Sequence, residues 1–230
     1  MRRAWMVACL AALLAPPASA TPPAYVGGQY RYWSFSDNHD LRDVLVYWVP
    51  GPAHVQLEYW DFVDPGTSDQ FRPEVGIHLR DRRKSVYTVQ WRHERRQERF
   101  WLGTDQVLNG RVVGRAEVSP IVATDTTLWV WDLGADVYWG SWNFLAATVI
   151  RDPRSDGLWV FPMRVRLANE ANDWFQLTLA PASRRTVGWA VDVKKRWLRM
   201  GVERNDRYDF TRVDNTIVTI GFELSLAHPK

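Results

Sequence analysis

Charged residues standing at every second position are the first candidates for chemistry in this sequence. Arg92, Arg115, Glu117, Asp132, Asp136, Arg164, Arg166, Asp192, Lys194, Arg199 and Glu203 alternate with apolar neighbours, as do Glu58, Arg80 and Glu223. Basic and acidic members are balanced. Side chains of this kind facing one enclosed space have two uses. Paired across strands they fill a narrow interior, because a buried charge without a partner is costly. Left unpaired, Arg164, Arg166 and Arg199 with Arg115 form a basic ladder opposite an acidic wall of Asp132 and Asp136, and charge rings of that kind select ions in pores.

Other chemistries are less well supplied. His39, His54, His78, His93 and His228 are scattered, and Ser85 follows His78 without any nucleophile elbow. An acyl hydrolase acting on lipid at a membrane rim is therefore a distant alternative. Asp37-Asn38-His39-Asp40 with Asp43 collects oxygen ligands but lacks the spacing and glycine of a calcium loop. No catalytic residue, metal site or cofactor is expected. The basic clusters Arg82-Arg83-Lys84 and Arg92 to Arg99 are candidates for lipid phosphate, which guanidinium groups meet in bidentate fashion.

The elements that position these groups must be strands. Beyond Thr21 no stretch keeps a helical apolar period for three turns, whereas alternation recurs throughout. Val218/Ile220/Phe222/Leu224/Leu226 alternate with Thr219, Gly221, Glu223 and Ser225. Phe161/Met163/Val165/Leu167 alternate with Arg164 and Arg166, and Trp189/Val191/Val193 with Asp192 and Lys194. One face of each strand is oily and the other polar.

Aromatic placement separates a membrane barrel from a soluble sandwich. From Thr127 to Trp139 one face reads Trp129, Trp131, Leu133, Ala135, Val137, Trp139, with tryptophan at both ends. Ten residues tilted at about 40° rise roughly 25 Å, the height of an apolar band between two aromatic girdles. The chain has 14 Trp, 8 Tyr and 9 Phe beside 24% charged residues, with a mean hydropathy of -0.33. A secreted sandwich that stacks polysaccharide on Trp139, Trp142, Trp159 and Trp174 is the alternative from a different class.

Short turns at Pro50-Gly51-Pro52, Asp81 to Lys84, Leu108 to Gly110 and Trp139 to Ser141 are interspersed with longer links. Those fall at Asp37 to Arg42, Asp64 to Gln70, Asp152 to Gly157, Pro181 to Thr186 and Asn205 to Asn215. Periplasmic turns and external loops differ in this way. The expected fold is all-β, an antiparallel up-and-down transmembrane barrel of about fourteen strands, or twelve if one pair merges, with modest loops and no plug.

Residues 1–20 are set apart as an export signal. Arg2 and Arg3 precede an apolar run to Leu14, and Ala18-Ser19-Ala20 suits a signal peptidase. The run is too short to span a bilayer as a helix, which takes about 20 residues. The single cysteine, Cys9, falls within it, leaving 21–230 as one barrel domain without thiols. Removing Arg2 and Arg3 lowers the formal charge from +3 to about +1, which argues against nucleic acid as a partner.

The closing strand carries Thr219-x-Gly221-x-x-Leu224-x-Leu226, the polar-x-Gly-x-x-apolar-x-apolar pattern read by the barrel-assembly machinery of bacterial outer membranes, although the tail Ala227 to Lys230 lacks a final aromatic. Together with Tyr30-x-Tyr32-x-x-Phe35-Ser36-Asp37 and the segment Asp132-Leu133-Gly134 to Tyr138-Trp139-Gly140-Ser141-Trp142, this strand resembles the YaiO-like family of outer-membrane β-barrels. That resemblance implies a Gram-negative outer-membrane barrel of unassigned activity and brings no catalytic residues. Expected partners are outer-membrane lipids, the assembly machinery and small polar solutes crossing a porin-like lumen.

Overall fold

The computed structural model describes residues 24–226 except 50–51, 64–68, 81–84, 95, 140–142, 156–158, 172, 184–185 and 207–212. The export signal, Pro50-Gly51, the cluster Arg82-Arg83-Lys84, Gly140-Ser141-Trp142 and the tail with His228 lie outside the described residues, as does the side chain of Arg80.

The chain runs as β1 (Ala24–Phe35), β2 (Asp40–Val49), β3 (Ala53–Phe62), β4 (Gln70–Arg80), β5 (Ser85–Glu94), β6 (Gln97–Asn109), β7 (Val112–Ala123) and β8 (Thr127–Tyr138). It continues with β9 (Phe144–Arg151), a helical turn (Pro153–Ser155), β10 (Trp159–Val160), β11 (Met163–Ala168), β12 (Trp174–Pro181), β13 (Val187–Lys195), β14 (Leu198–Asn205) and β15 (Asn215–Leu226). Each strand pairs antiparallel with the next, except that β10 and β11 both pair with β9, and β15 pairs with β1 from Ala24↔Leu226 to Phe35↔Asn215, so the sheet closes on itself.

Segments β10 and β11 are one strand in two pieces. Both pair with β9 in a single register, Trp159↔Arg151 and Met163↔Ala147. Pro162, between them, has no N–H for the ladder, while its carbonyl accepts from the Thr148 amide at 2.9 Å. The wall is thus a closed antiparallel barrel of fourteen strands. Around it the paired registers advance by about fourteen residues, roughly one per strand. That stagger sets a strand tilt of roughly 37° and a backbone-to-backbone width of about 26 Å.

Alternation places apolar residues outside. Val44, Val46 and Trp48 of β2, Leu133 and Val137 of β8, and Ile220, Phe222 and Leu224 of β15 are all exposed on the outer face. Trp129, Trp131 and Trp139 share that face, each between 41% and 49% exposed. At the seam, Thr219 and Gly221 point inward while Leu224 and Leu226 point out. A Cβ at Gly221 would lie 2.6 Å from the Gly28 carbonyl oxygen, so glycine is what lets the two closing strands meet.

The two ends differ. β1 starts and β15 finishes at the end bearing the short turns, including the two-residue turn Arg196-Trp197, where Arg196 takes a φ of 55°. Residues 63–69, 152–158, 182–186 and 206–214 connect strands at the opposite end. Inside that opposite mouth sit two apolar clusters. Trp33, Leu41, Trp60 and Ile217 pack with Phe35 and Phe62, and Val160, Ala180 and Ala182 pack with Ile150.

Candidate functional site

The inner face of the barrel collects the charged groups, and it is built differently on its two sides. Across β1 to β5 the charges form a continuous chain. Arg31 pairs with both Asp43 and Glu58. Glu58 also meets Arg72 at 3.1 Å and Arg92 at 3.6 Å. Arg72 reaches Glu94 at 2.5 Å, and Arg92 reaches Glu74 at 2.5 Å. Glu74 lies 3.0 Å from His54 Nε2. Asp43, Glu58, Arg72, Glu74 and Glu94 are all buried.

Aromatic rings support the same chain. The Arg72 guanidinium stands 4.1 Å over Trp60, and Trp101 lies between Arg92 at 5.2 Å and Arg99 at 4.4 Å. Arg99 Nε donates to Ser119 Oγ at 2.7 Å. Burial strengthens each attraction of this kind because water no longer screens it.

From β7 to β15 the charges are sparser and several stand alone. Arg115 donates to Asp136 at 2.6 Å and Asp105 at 3.2 Å. Glu117 and Asp132 occupy directly opposed positions on β7 and β8. Among the described residues neither has an ion-pair or hydrogen-bond partner, and Asp132 Oδ1 is buried without one. Arg164 on β11 is likewise unpaired among the described residues. Arg166 donates to Gln176 at 2.8 Å and stands over Trp174 at 4.4 Å and Phe144 at 5.0 Å. Arg199 pairs with Asp192 at 3.0 Å and also faces Trp174, while Lys194 pairs with Glu223 at 2.5 Å. Small residues line the wall between these groups, among them Gly134, Ala146, Thr148, Ala190 and Gly201.

Of the fourteen charged residues singled out in the sequence, thirteen face the interior, with Glu203 at a pocket beside Asp192 and Arg199, and the side chain of Arg80 lies outside the described residues. The expected basic ladder divides. Arg164 is unpaired, whereas Arg115 is held by two carboxylates on the acidic side of the lumen. The acidic wall divides too, with Asp136 paired and Asp132 not.

Other expectations are corrected. The segment Arg92 to Arg99 is not one surface patch, because Arg92, Glu94 and Arg99 turn inward and Glu98 turns out to meet His93 at 2.8 Å and the Trp91 indole at 2.7 Å. Asp43 is buried against Arg31 rather than belonging to an external acidic loop. His78 bonds Thr88 at 3.1 Å, and Ser85 lies on the opposite face of the wall, aligned with Tyr87. Trp174 is buried under arginine and offers no platform to an external sugar. The single sheet closes on itself instead of packing against a second sheet, so the sandwich alternative fails as a fold.

Sequence reasoning missed Arg31, Arg72 and Glu74 and read Asp43 and Glu94 as external, although all five form the centre of the paired chain. Arg31 does alternate with Tyr30 and Tyr32, and Arg72 and Glu74 alternate with Phe71, Pro73 and Val75. Proline at 73 and the apolar inward residues Leu41 and Leu45 of β2 conceal these strands from a strict oily-polar pattern.

No protein-family model and no curated protein matches the sequence. Similarity to solved structures is confined to the fold. Two variants of a porin from Rhodopseudomonas blastica share 8% identity with this chain, with TM-scores of 0.52 and 0.51, covering 87% of it and 99% of each porin chain. A structure described as "Asymmetric conductivity of engineered proteins" aligns with the same coverage, 8% identity and a TM-score of 0.51. The chain has a porin-like barrel fold.

Proposed function

We propose that this chain is an outer-membrane channel-type protein, a narrow passage for small polar solutes whose lumen carries an acidic excess on β7–β8 and a basic excess on β11–β14. The observation that carries this reading is the set of inward-facing charges without an ion-pair or hydrogen-bond partner among the described residues, Glu117, Asp132 and Arg164. In a dry interior each would cost several kcal/mol, and water in the lumen removes that cost. They stand on neighbouring strands of one arc, Asp132 on β8 and Arg164 on β11 with β9 between, so a passing solute meets both signs of charge on that side.

The rest of the reading fits the same setting. The apolar outer face and its tryptophans suit lipid, since only closed barrels and helices satisfy their backbone groups in a bilayer. Residues 1–20 serve as the export signal of a Gram-negative cell, and the Thr219 to Leu226 pattern serves assembly-factor recognition. Membership of the YaiO-like family is part of the proposal, resting on the residues that carry the resemblance. The role is transport or envelope contact rather than catalysis.

Purified barrel in planar bilayers tests this directly. Discrete conductance steps are expected, and the double variant Glu117→Gln/Asp132→Asn should move the reversal potential in a salt gradient toward anion preference. A folded, membrane-inserted barrel that passes no current and admits no small solute in liposome swelling would overturn the reading.

A further inference from the structure

We propose that a niche in the lumen wall formed by β1, β13, β14 and β15 binds a small zwitterion of the size and charge pattern of glycine or alanine. The niche encloses about 100 Å³ and is bordered by Gln29, Arg31, Asp192, Arg199, Glu203 and Thr219. That is room for a few waters or for about five or six non-hydrogen atoms. It exists because Gly201 lies in its floor. A Cβ there would come within 2.5 Å of Asp192 Oδ1, so a larger residue would push aside the carboxylate that lines the site.

The charge pattern selects the ligand. Two guanidinium groups, Arg31, itself paired with Asp43 and Glu58, and Arg199, paired with Asp192 at 3.0 Å, and two carboxylates, Asp192 and Glu203, border one small space. An anion entering it meets two like charges, and so does a cation. A zwitterion can set its carboxylate toward the arginines, with charge-assisted hydrogen bonds, and its ammonium toward the acids. Neutral groups border it too. Among the described residues the Gln29 amide and the Thr219 hydroxyl have no hydrogen-bond partner, and together they offer donors and acceptors of both kinds. A few convergent polar groups in a concave site are what fix the orientation of a small ligand.

The niche lies on the wall of the proposed passage and so rests on that reading, but binding can be measured without conduction. Saturation-transfer NMR on the detergent-solubilised full barrel, with glycine, acetate, methylammonium and glycerol as separate probes, decides it. Glycine should bind saturably and at least tenfold more tightly than each of the three others. The isosteric Glu203→Gln and the side-chain variant Gln29→Leu should each weaken glycine at least tenfold, in protein whose unboiled gel mobility matches the parent. Equal binding of acetate would make this an anion site, equal binding of glycerol an unselective polar niche, and absence of glycine binding no site at all; each overturns the proposal. A barrel that conducts yet fails to bind glycine loses the niche alone, whereas one that binds glycine and passes no current loses only the passage.

Discussion

The β1–β5 side of the lumen and the β7–β15 side use the same residue types in opposite ways. On the first, arginines and carboxylates interlock across five strands, so that Glu58 alone is approached by Arg31, Arg72 and Arg92. On the second, Glu117, Asp132 and Arg164 have no ion-pair or hydrogen-bond partner among the described residues, while glycine, alanine and threonine occupy the positions between charges. A wall of fourteen strands encloses more space than side chains fill unaided. Packing one arc with ion pairs and rings closes that arc. Leaving charges free on the other keeps it wet. The difference assigns cohesion to one side and, under the proposed function, solute contact to the other, although both read as alternating charge in the sequence.

The largest effect should come from breaking the interlocked side. Arg72→Met removes the cation between Glu58 and Glu94, leaving two buried carboxylates short of charge. Truncating one partner of a buried pair costs about 3–5 kcal/mol. The variant should lose most of its heat-modifiable folded band and unfold at distinctly lower urea. Equal stability of Arg72→Met and the parent would mean that the chain of pairs is ornamental and that the contrast between the two sides is one of geometry only.

Tryptophan offers a finer comparison, because each side holds one ring between two guanidinium groups. Trp101→Leu leaves Arg92 pinned by Glu74, so the loss should be a stability change of about 1–2 kcal/mol with conductance unaltered. Trp174→Leu should cost a similar amount of stability but also release Arg166 and Arg199, whose other contacts are fewer. The expected readout is a changed single-channel conductance and ion preference for Trp174→Leu alone. Matching electrical behaviour in the two variants would remove the functional distinction.

Much of this architecture is legible from the residues because a barrel repeats one rule. Val218 to Leu226 and Trp129 to Trp139 show the period so plainly that face and strand type follow from them, and the turns between strands supply the count. The unequal links at 63–69 and 206–214 against Arg196-Trp197 mark the two ends. What alternation lacks is register. Glu58 and Arg72 are far apart in no obvious pattern until β3 and β4 pair them as direct neighbours, and Asp132 gives no sign that it lacks the partner Asp136 has found in Arg115. Pairing partners are decided by the stagger between strands, a property of the closed wall that no single strand encodes.

The smallest effect is expected at the mouth, where a local pair can be set against the cross-strand chain. Asp152 lies just beyond β9 and accepts from Arg154, whose Nη2 comes within 2.5 Å and whose backbone amide lies at 2.9 Å. Burial pushes this carboxyl upward, but the hydrogen bonds and charge of Arg154 outweigh it and hold the group below its ordinary value. A depressed carboxyl pKa in the folded state contributes stability above the unfolded value of 3.8, and loses it as pH falls through the lower folded value. Asp152→Asn should therefore cost at most about 1 kcal/mol at neutral pH. The parent and variant should converge in urea stability as pH is taken from 7 to below 3. A residue two positions from its partner keeps that partner close even in the unfolded chain, so little is gained by folding. Glu58 and Arg72 meet only when β3 and β4 pair, which is why the same chemistry should matter several times more there. A constant difference at every pH would place the effect of Asp152 in the backbone of the turn rather than in its charge.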